Sequence, residues 1–163
     1  MRILIISDTH GDDSAFIKIK KSELRFDVLI HAGDMDGSES FYESYFRGVR
    51  HMVSGNCDYG GRFPYEDVFM IDCYRVFLTH GHRQHIAQFD RASDVLVEEA
   101  KQNDAQILIY GHTHYPVYET RNGVICINPG STYRPRQPDH RPTYGVLTID
   151  DHDHTLNYQL KYC

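Results

Sequence analysis

The chain has 163 residues, a formal net charge of −6, and 40% apolar and 25% charged residues, a size and balance that fit one globular domain over residues 1–163 and exclude disorder. The negative balance repels a phosphate backbone, so duplex nucleic acid is not an expected partner. The first apolar run is too short for a signal peptide or a membrane span, and the scattered cysteines Cys57, Cys73, Cys126 and Cys163 form no CxxC pair and read as free thiols of a reducing compartment, so a cytoplasmic location is expected.

Ile3 to Ile6 has the length and composition of a strand. From Asp12 to Arg25, Phe16, Ile17, Ile19 and Leu24 alternate with lysines and predict an amphipathic helix. Val28 to His31 is a second strand, followed by a weaker helix from Ser38 to Phe46 with Ser38 as its N-cap. Strands are expected at His51 to Val53 and Val76 to Thr79. Arg91 to Gln102 places Ala92, Val95, Leu96 and Ala100 at helical spacing, and Ile107 to Tyr110 is the fifth strand. Val124 to Ile127, Gly145 to Ile149 and Thr155 to Leu160 follow. The proline-rich stretch from Arg134 to Pro142 reads as a loop, and Asp150 to His154 (DDHDH) as a hairpin turn. Continuous apolar runs imply strands covered on both faces, so the fold class is an α/β sandwich of layers.

A polar group follows each of the first five strands. The sequence reads Asp8-Thr9-His10-Gly11, Gly33-Asp34, Gly55-Asn56-Cys57-Asp58, His80-Gly81-His82 and Gly111-His112-Thr113-His114. Carboxyl ends of strands converge on one edge of an α/β fold, so residues from 8 to 114 can meet there. A single DxH is ordinarily a turn or a helix cap, and a single His pair is often a surface feature. Turn chemistry needs no histidines, however, and the fivefold recurrence points to a metal site. The two histidines of GHTH, at i and i+2, are expected to point the same way on extended backbone.

Aspartate oxygens with imidazole nitrogens favour borderline cations: Mn²⁺ as the expected occupant, with Ni²⁺, Co²⁺, Fe²⁺ or Zn²⁺ as alternatives. Asp8, His10, Asp34, Asn56, His80, His112 and His114 exceed the four ligands of one tetrahedral ion. They suit two ions roughly 3.5–4 Å apart.

In this order and spacing, the DxH, GD, GN, H and GHxH elements resemble the calcineurin-like metallophosphoesterase superfamily. The GNCD variant, with Asn128-Pro-Gly-Ser131 downstream, is similar to its small YfcE/YsnB-type phosphodiesterases, over nearly the whole chain. The resemblance implies a four-layer α/β/β/α sandwich with two mixed β-sheets. It also implies one metal on Asp8, His10, Asp34 and His114 and a second on Asp34, Asn56, His80 and His112, with Asp34 bridging. Asp34, Asn56 and His80 would then be the catalytic residues of a phosphodiesterase that uses a metal-activated hydroxide. A phosphomonoesterase or a non-catalytic scaffold of the same fold, as in the retromer subunit, is the alternative.

Where larger family members carry a histidine, this chain has Cys57, a poor proton donor with an ordinary pKa of roughly 8.5, which leaves the leaving-group acid unassigned. Cys57 and Arg136 are expected to touch the small phosphate ester, Arg136 through bidentate hydrogen bonds. Asp58 reads as the holder of a neighbouring turn or histidine, while His82, His85, His152 and His154 read as surface or loop histidines. Twelve tyrosines, among them Tyr42, Tyr45, Tyr59, Tyr65, Tyr133 and Tyr144, suggest a homodimer or higher homo-oligomer.

Overall fold

The computed structural model describes residues 1–23, 25–86 and 91–163. In chain order the elements are β1 (Arg2–Ile6), α1 (Ser14–Ser22), β2 (Val28–His31), α2 (Glu39–Tyr45), β3 (Val49–Met52), β4 (Glu66–Ile71), β5 (Tyr74–Thr79), α3 (Asp94–Gln102), β6 (Ile107–Ile109), β7 (Val117–Arg121), β8 (Val124–Asn128), β9 (Thr143–Ile149) and β10 (Leu156–Tyr162).

Two five-stranded sheets run β10-β9-β1-β2-β3 and β4-β5-β6-β8-β7. Both are mixed. In the first, β1, β2 and β3 are parallel, while β9 is antiparallel to both β1 and β10. In the second, β5, β6 and β8 are parallel and β4 and β7 are antiparallel edges.

Side-chain alternation along each strand builds the layers. Ile3, Ile5 and Ile30 face Val76, Leu78, Ile107, Ile109 and Ile127 between the sheets. Leu4, Ile6 and Leu29 turn outward onto Phe16, Ile19 and Tyr42 of α1 and α2, and Phe77, Leu108 and Cys126 turn outward onto Leu96, Val97 and Ala100 of α3. The order is therefore α/β/β/α. With both faces covered, the central strands are apolar throughout, which is why they read as unbroken runs.

Several local expectations differ from the structure. β4 and β7 are strands where no strand was expected: as sheet edges they mix Glu66, Asp67, Glu119 and Arg121 with apolar residues, and alternate residues of each face solvent. The first helix is shorter than Asp12 to Arg25, and Leu24 lies outside the described residues. In α3 the buried face is Leu96, Val97 and Ala100, whereas Val95 is 53% exposed. Ser38 precedes α2 but does not cap it; its hydroxyl donates to Asp13 Oδ2 at 3.0 Å, tying α2 to the turn before α1. Of the tyrosines expected at an interface, Tyr42 and Tyr144 are buried, while Tyr45, Tyr59, Tyr65 and Tyr133 are exposed.

Candidate metal centre

The carboxyl ends of β1, β2, β3, β5 and β6 deliver Asp8, Asp34, Asn56, His80 and the pair His112 and His114 to one rim of the sandwich. Crossing to that rim requires sharp turns. Asp8, His10, Asp34, His112 and His114 all have left-handed backbone, with φ between 45° and 66°, so the two GHTH histidines do not follow the extended geometry expected of them. Such residues cost of order 1–3 kcal/mol each and persist where the surroundings over-determine them.

Glycine is needed here for close approach. A Cβ on Gly55 would lie 2.1 Å from Asp34 Oδ1, and one on Gly111 would lie 2.1 Å from Ser7 Oγ and 2.9 Å from Asp8 Oδ2. Any side chain at either position would push a carboxylate off its place.

Hydrogen bonds fix the protons of the imidazoles. His80 Nδ1 lies 2.7 Å from the Ala32 carbonyl and His114 Nδ1 lies 2.7 Å from the Arg134 carbonyl. A carbonyl accepts and does not donate, so Nδ1 carries a proton and Nε2 is the ring atom left to face the cluster and ligate a metal. His10 Nδ1 faces Asp36 Oδ2 at 3.3 Å in the same sense. These ring nitrogens converge: His10 Nε2 is 3.4 Å from His114 Nε2, which is 3.1 Å from Asp8 Oδ1. His80 Nε2 is 3.4 Å from Asp34 Oδ2 and 3.2 Å from Asn56 Oδ1.

The Ser7 hydroxyl (2.6 Å) and the His112 amide (3.1 Å) donate to Asp8 Oδ2, and the Cys57 amide donates to Asp34 Oδ1 at 2.8 Å. Asp8 Oδ1 is buried with no hydrogen-bond partner. Carboxylates and imidazoles crowded together with a carboxylate oxygen unsatisfied are unfavourable unless protons or a cation lie among them. The donor atoms of Asp8, His10, Asp34 and His114 lie within 4.8 Å of one another and could hold one ion. His80, Asn56 and Asp34 form a second focus. The His112 ring stands 5.1 Å from that of His80.

Without a cation the cluster pairs its carboxylates with charged imidazole. Burial opposes ionisation of Asp8 and Asp34, yet both carboxyls are held below the ordinary range, Asp8 by His114, His80 and Ser7, and Asp34 chiefly by His80 and the Cys57 amide. Burial and the neighbouring His80 lower His112 to about 4, keeping it neutral and able to coordinate. Burial works against a charge on His80 too, but Asp34, Asp8 and the Ala32 carbonyl raise its pKa, so without a metal its charged form is favoured, a charge that a bound cation would replace.

Asp58 behaves as the sequence implied and extends further. Its carboxylate accepts the amides of Asp34 (2.8 Å), Met35 (2.7 Å), Asp36 (2.9 Å) and Gly55 (2.8 Å), locking the β2 and β3 loops together. His31 was missed. It is fully buried, Nδ1 accepts the Gly33 amide at 3.2 Å, Nε2 lies 3.3 Å from Thr9 Oγ1, and its ring packs on Tyr42. As the last residue of an apolar strand it carries no local signal of that role. His82 also lies nearer the site than a surface histidine should: its ring is 5.4 Å from His80, and its Nδ1 is buried without a partner.

Burial lowers the His31 pKa to about 4 from 6.5, although the nearby aspartates oppose the shift. Because the unfolded chain takes up a proton that the folded one refuses, this residue's contribution to stability is full above about pH 6.5 and falls as the pH drops towards 4. In His31→Asn, whose side-chain oxygen can still accept the Gly33 amide, the loss of stability of metal-free protein between pH 6.5 and 4 should be shallower than in wild type. Urea unfolding across that range measures the difference, and parallel curves would refute the assignment.

A cavity of about 420 Å³ opens over the cluster, lined by His10, Asp34, Asn56, Cys57, His112, His114 and the loop Arg134, Pro135, Arg136. The Arg136 amide donates to the His114 carbonyl at 3.1 Å, so the loop is anchored to the site. Burial, with Asp34 adding to it, pushes the Cys57 thiol up to about 11. No helix among the described residues is long and apolar enough to cross a membrane.

Residues 1–152 match the calcineurin-like phosphoesterase superfamily domain. A probable metallophosphoesterase of Mycoplasma pneumoniae is 34% identical over 91% of this chain and 89% of its own length. The probable metallophosphoesterase YsnB of Bacillus subtilis is 31% identical over 97% and 90%. Among solved structures, an archaeal phosphodiesterase superposes with a TM-score of 0.72 at 25% identity, covering 99% of this chain and 100% of its own. Zinc-complexed Vps29 of Entamoeba histolytica superposes with a TM-score of 0.75 at 25% identity, covering 99% of both chains.

Proposed function

The chain belongs to the calcineurin-like phosphoesterase superfamily, and from that premise we propose that it is a two-metal phosphodiesterase acting on small phosphate esters. The observation that carries the reading is the convergence of carboxylate and imidazole ligand atoms, with Asp34 reaching towards His10 on one side (3.9 Å) and His80 on the other (3.4 Å).

In this reading Asp8, His10, Asp34 and His114 hold one ion, and Asp34, Asn56, His80 and His112 hold the other. A pair of divalent cations, with Mn²⁺ the first to try, supplies a nucleophile from water near neutral pH and neutralises charge on the phosphoryl oxygens. The protein contributes the arrangement. The Ala32 and Arg134 carbonyls orient His80 and His114, as outer partners orient ligating histidines generally. Asp58 sets the loop that carries Asp34. Arg136 binds the phosphate, since a guanidinium matches its oxygens in bidentate geometry.

Two features favour a diester. The cavity opens directly to solvent beside the loop that carries Arg134 and Arg136, which leaves room for a second ester group, and an archaeal neighbour of the same fold is described as a phosphodiesterase. Metal-restored hydrolysis of bis-p-nitrophenyl phosphate faster than that of p-nitrophenyl phosphate is the expected result. The reverse order would make the protein a monoesterase.

With its thiol near 11, Cys57 is a weak proton donor. Turnover should therefore fall steeply as the leaving group becomes less acidic, from a nitrophenolate to an alkoxide, and Cys57→Ser should change the rate by less than about tenfold on either. Comparable rates for both leaving groups would show that another residue supplies the proton.

A further inference from the structure

At the end of the sandwich opposite the phosphoesterase centre, two hairpin turns from different sheets meet. β5 runs parallel to β6 towards the centre, so the β4–β5 turn that precedes it, containing Asp72 and Cys73, lies at the far end. β9 runs antiparallel to β1, which places the β9–β10 turn at the same end. There His154 Nδ1 lies 2.5 Å from Asp72 Oδ2, and the Tyr74 hydroxyl donates to the His154 carbonyl at 3.0 Å.

Donor atoms of Asp72, Cys73 and His154 lie within 4.8 Å of one another, and all three residues are exposed to incoming ions. Zinc binds thiolate sulfur at about 2.3 Å and imidazole nitrogen at about 2.0–2.1 Å, so small rotations of exposed side chains would bring the three onto one ion. Asp72 and His154 both hold left-handed backbone, at φ 54° and 60°. The His154 amide is bonded to the Asp150 carbonyl at 3.1 Å, and the Asp150 amide to the Thr155 carbonyl at 3.0 Å, so the turn presents its histidine from a fixed frame. Asp150, Asp151 and Asp153 on the same turn add negative potential that attracts a cation.

We propose that Asp72, Cys73 and His154 form a second metal site, selective for Zn²⁺ or Co²⁺, that staples the two sheets at the end remote from catalysis. One thiolate, one imidazole and one carboxylate leave a fourth tetrahedral position for water, and the soft sulfur discriminates against Mn²⁺ and Mg²⁺. Binding releases the Cys73 thiol proton and the Nδ1 proton that His154 gives to Asp72, and so replaces the His154–Asp72 hydrogen bond with two bonds to the ion.

Thiolate-to-cobalt charge-transfer absorption tests this, because the proposed ligands of the phosphoesterase centre are oxygen and nitrogen and the thiol beside them, Cys57 near His10 and Asp36, is removed in Cys57→Ser. Metal-free full-length protein titrated with Co²⁺ should develop the band, and Cys57→Ser should keep it. Cys73→Ser should lose it. His154→Ala should weaken the affinity for Co²⁺ by at least about tenfold, and Cys73→Ser should also lose part of the rise in unfolding midpoint that Zn²⁺ gives wild type, while leaving phosphoesterase activity unchanged. Absence of the band in wild type, its survival in Cys73→Ser, its loss in Cys57→Ser or unaltered affinity in His154→Ala would each overturn the proposal.

Discussion

Asparagine in place of Asp34 is expected to abolish metal-restored hydrolysis while leaving the fold in place. The substitution keeps the shape and the Oδ1 that accepts the Cys57 amide, but it replaces the charged oxygen facing His80 at 3.4 Å and His10 at 3.9 Å with an uncharged amide. Loss of an outer partner of a metal ligand typically costs 10–100-fold, so loss of a carboxylate proposed to serve both ions should cost more than about 10²-fold in kcat/KM. Metal-free Asp34→Asn should unfold somewhat earlier than metal-free wild type at neutral pH, because the fold favours the ionised carboxylate through His80 and the Cys57 amide. Wild-type turnover in the variant would remove Asp34 from the mechanism.

Alanine at Asp58 should produce the largest loss of stability of any single change near the site, although Asp58 is not among the proposed metal ligands. Four backbone amides, of Asp34, Met35, Asp36 and Gly55, lose their acceptor together. Hydrogen bonds to a charged group contribute about 1.5–3 kcal/mol each. Some of the freed amides will find water, so a loss of about 3–5 kcal/mol is expected. Because the same amides belong to the loops that carry Asp34 and Asn56, activity should fall with stability. Asp58→Asn, which keeps one carbonyl oxygen but turns an amide donor towards the remaining N–H groups, should be intermediate. Urea unfolding of the three proteins measures the series, and a change below about 1 kcal/mol in Asp58→Ala would show that the loops hold without it.

The site was more legible in the sequence than the sheet edges. Asp8, Asp34, His80, His112 and His114 follow apolar strands, so each stands out as a polar residue where a chain leaves the core, and strand order carries them to one rim with Asn56, which follows the more exposed β3. β4 and β7 gave no such contrast, because an edge strand half exposed to water can carry Glu66, Asp67, Glu119 and Arg121 without cost. His31 was hidden for the opposite reason. It ends a fully buried strand, and only the tertiary fold shows that its ring joins the Thr9 and Gly33 loops beneath the site. Periodicity could not reveal the left-handed backbone of His112 and His114 either, since those turns are imposed by the hydrogen bonds of His114 and Asp8 to Arg134 and His112 from distant parts of the chain.

The central claim is a metal centre that turns over phosphate esters, and metal content measured together with turnover tests it most directly. Protein stripped by chelator and reloaded with Mn²⁺ should hold about two ions per chain and hydrolyse bis-p-nitrophenyl phosphate, with both properties failing in Asp34→Asn. Two bound ions with no hydrolysis of either the diester or the monoester in Mn²⁺, Ni²⁺, Co²⁺ or Zn²⁺ would contradict the account and leave a metal-binding scaffold of the same fold.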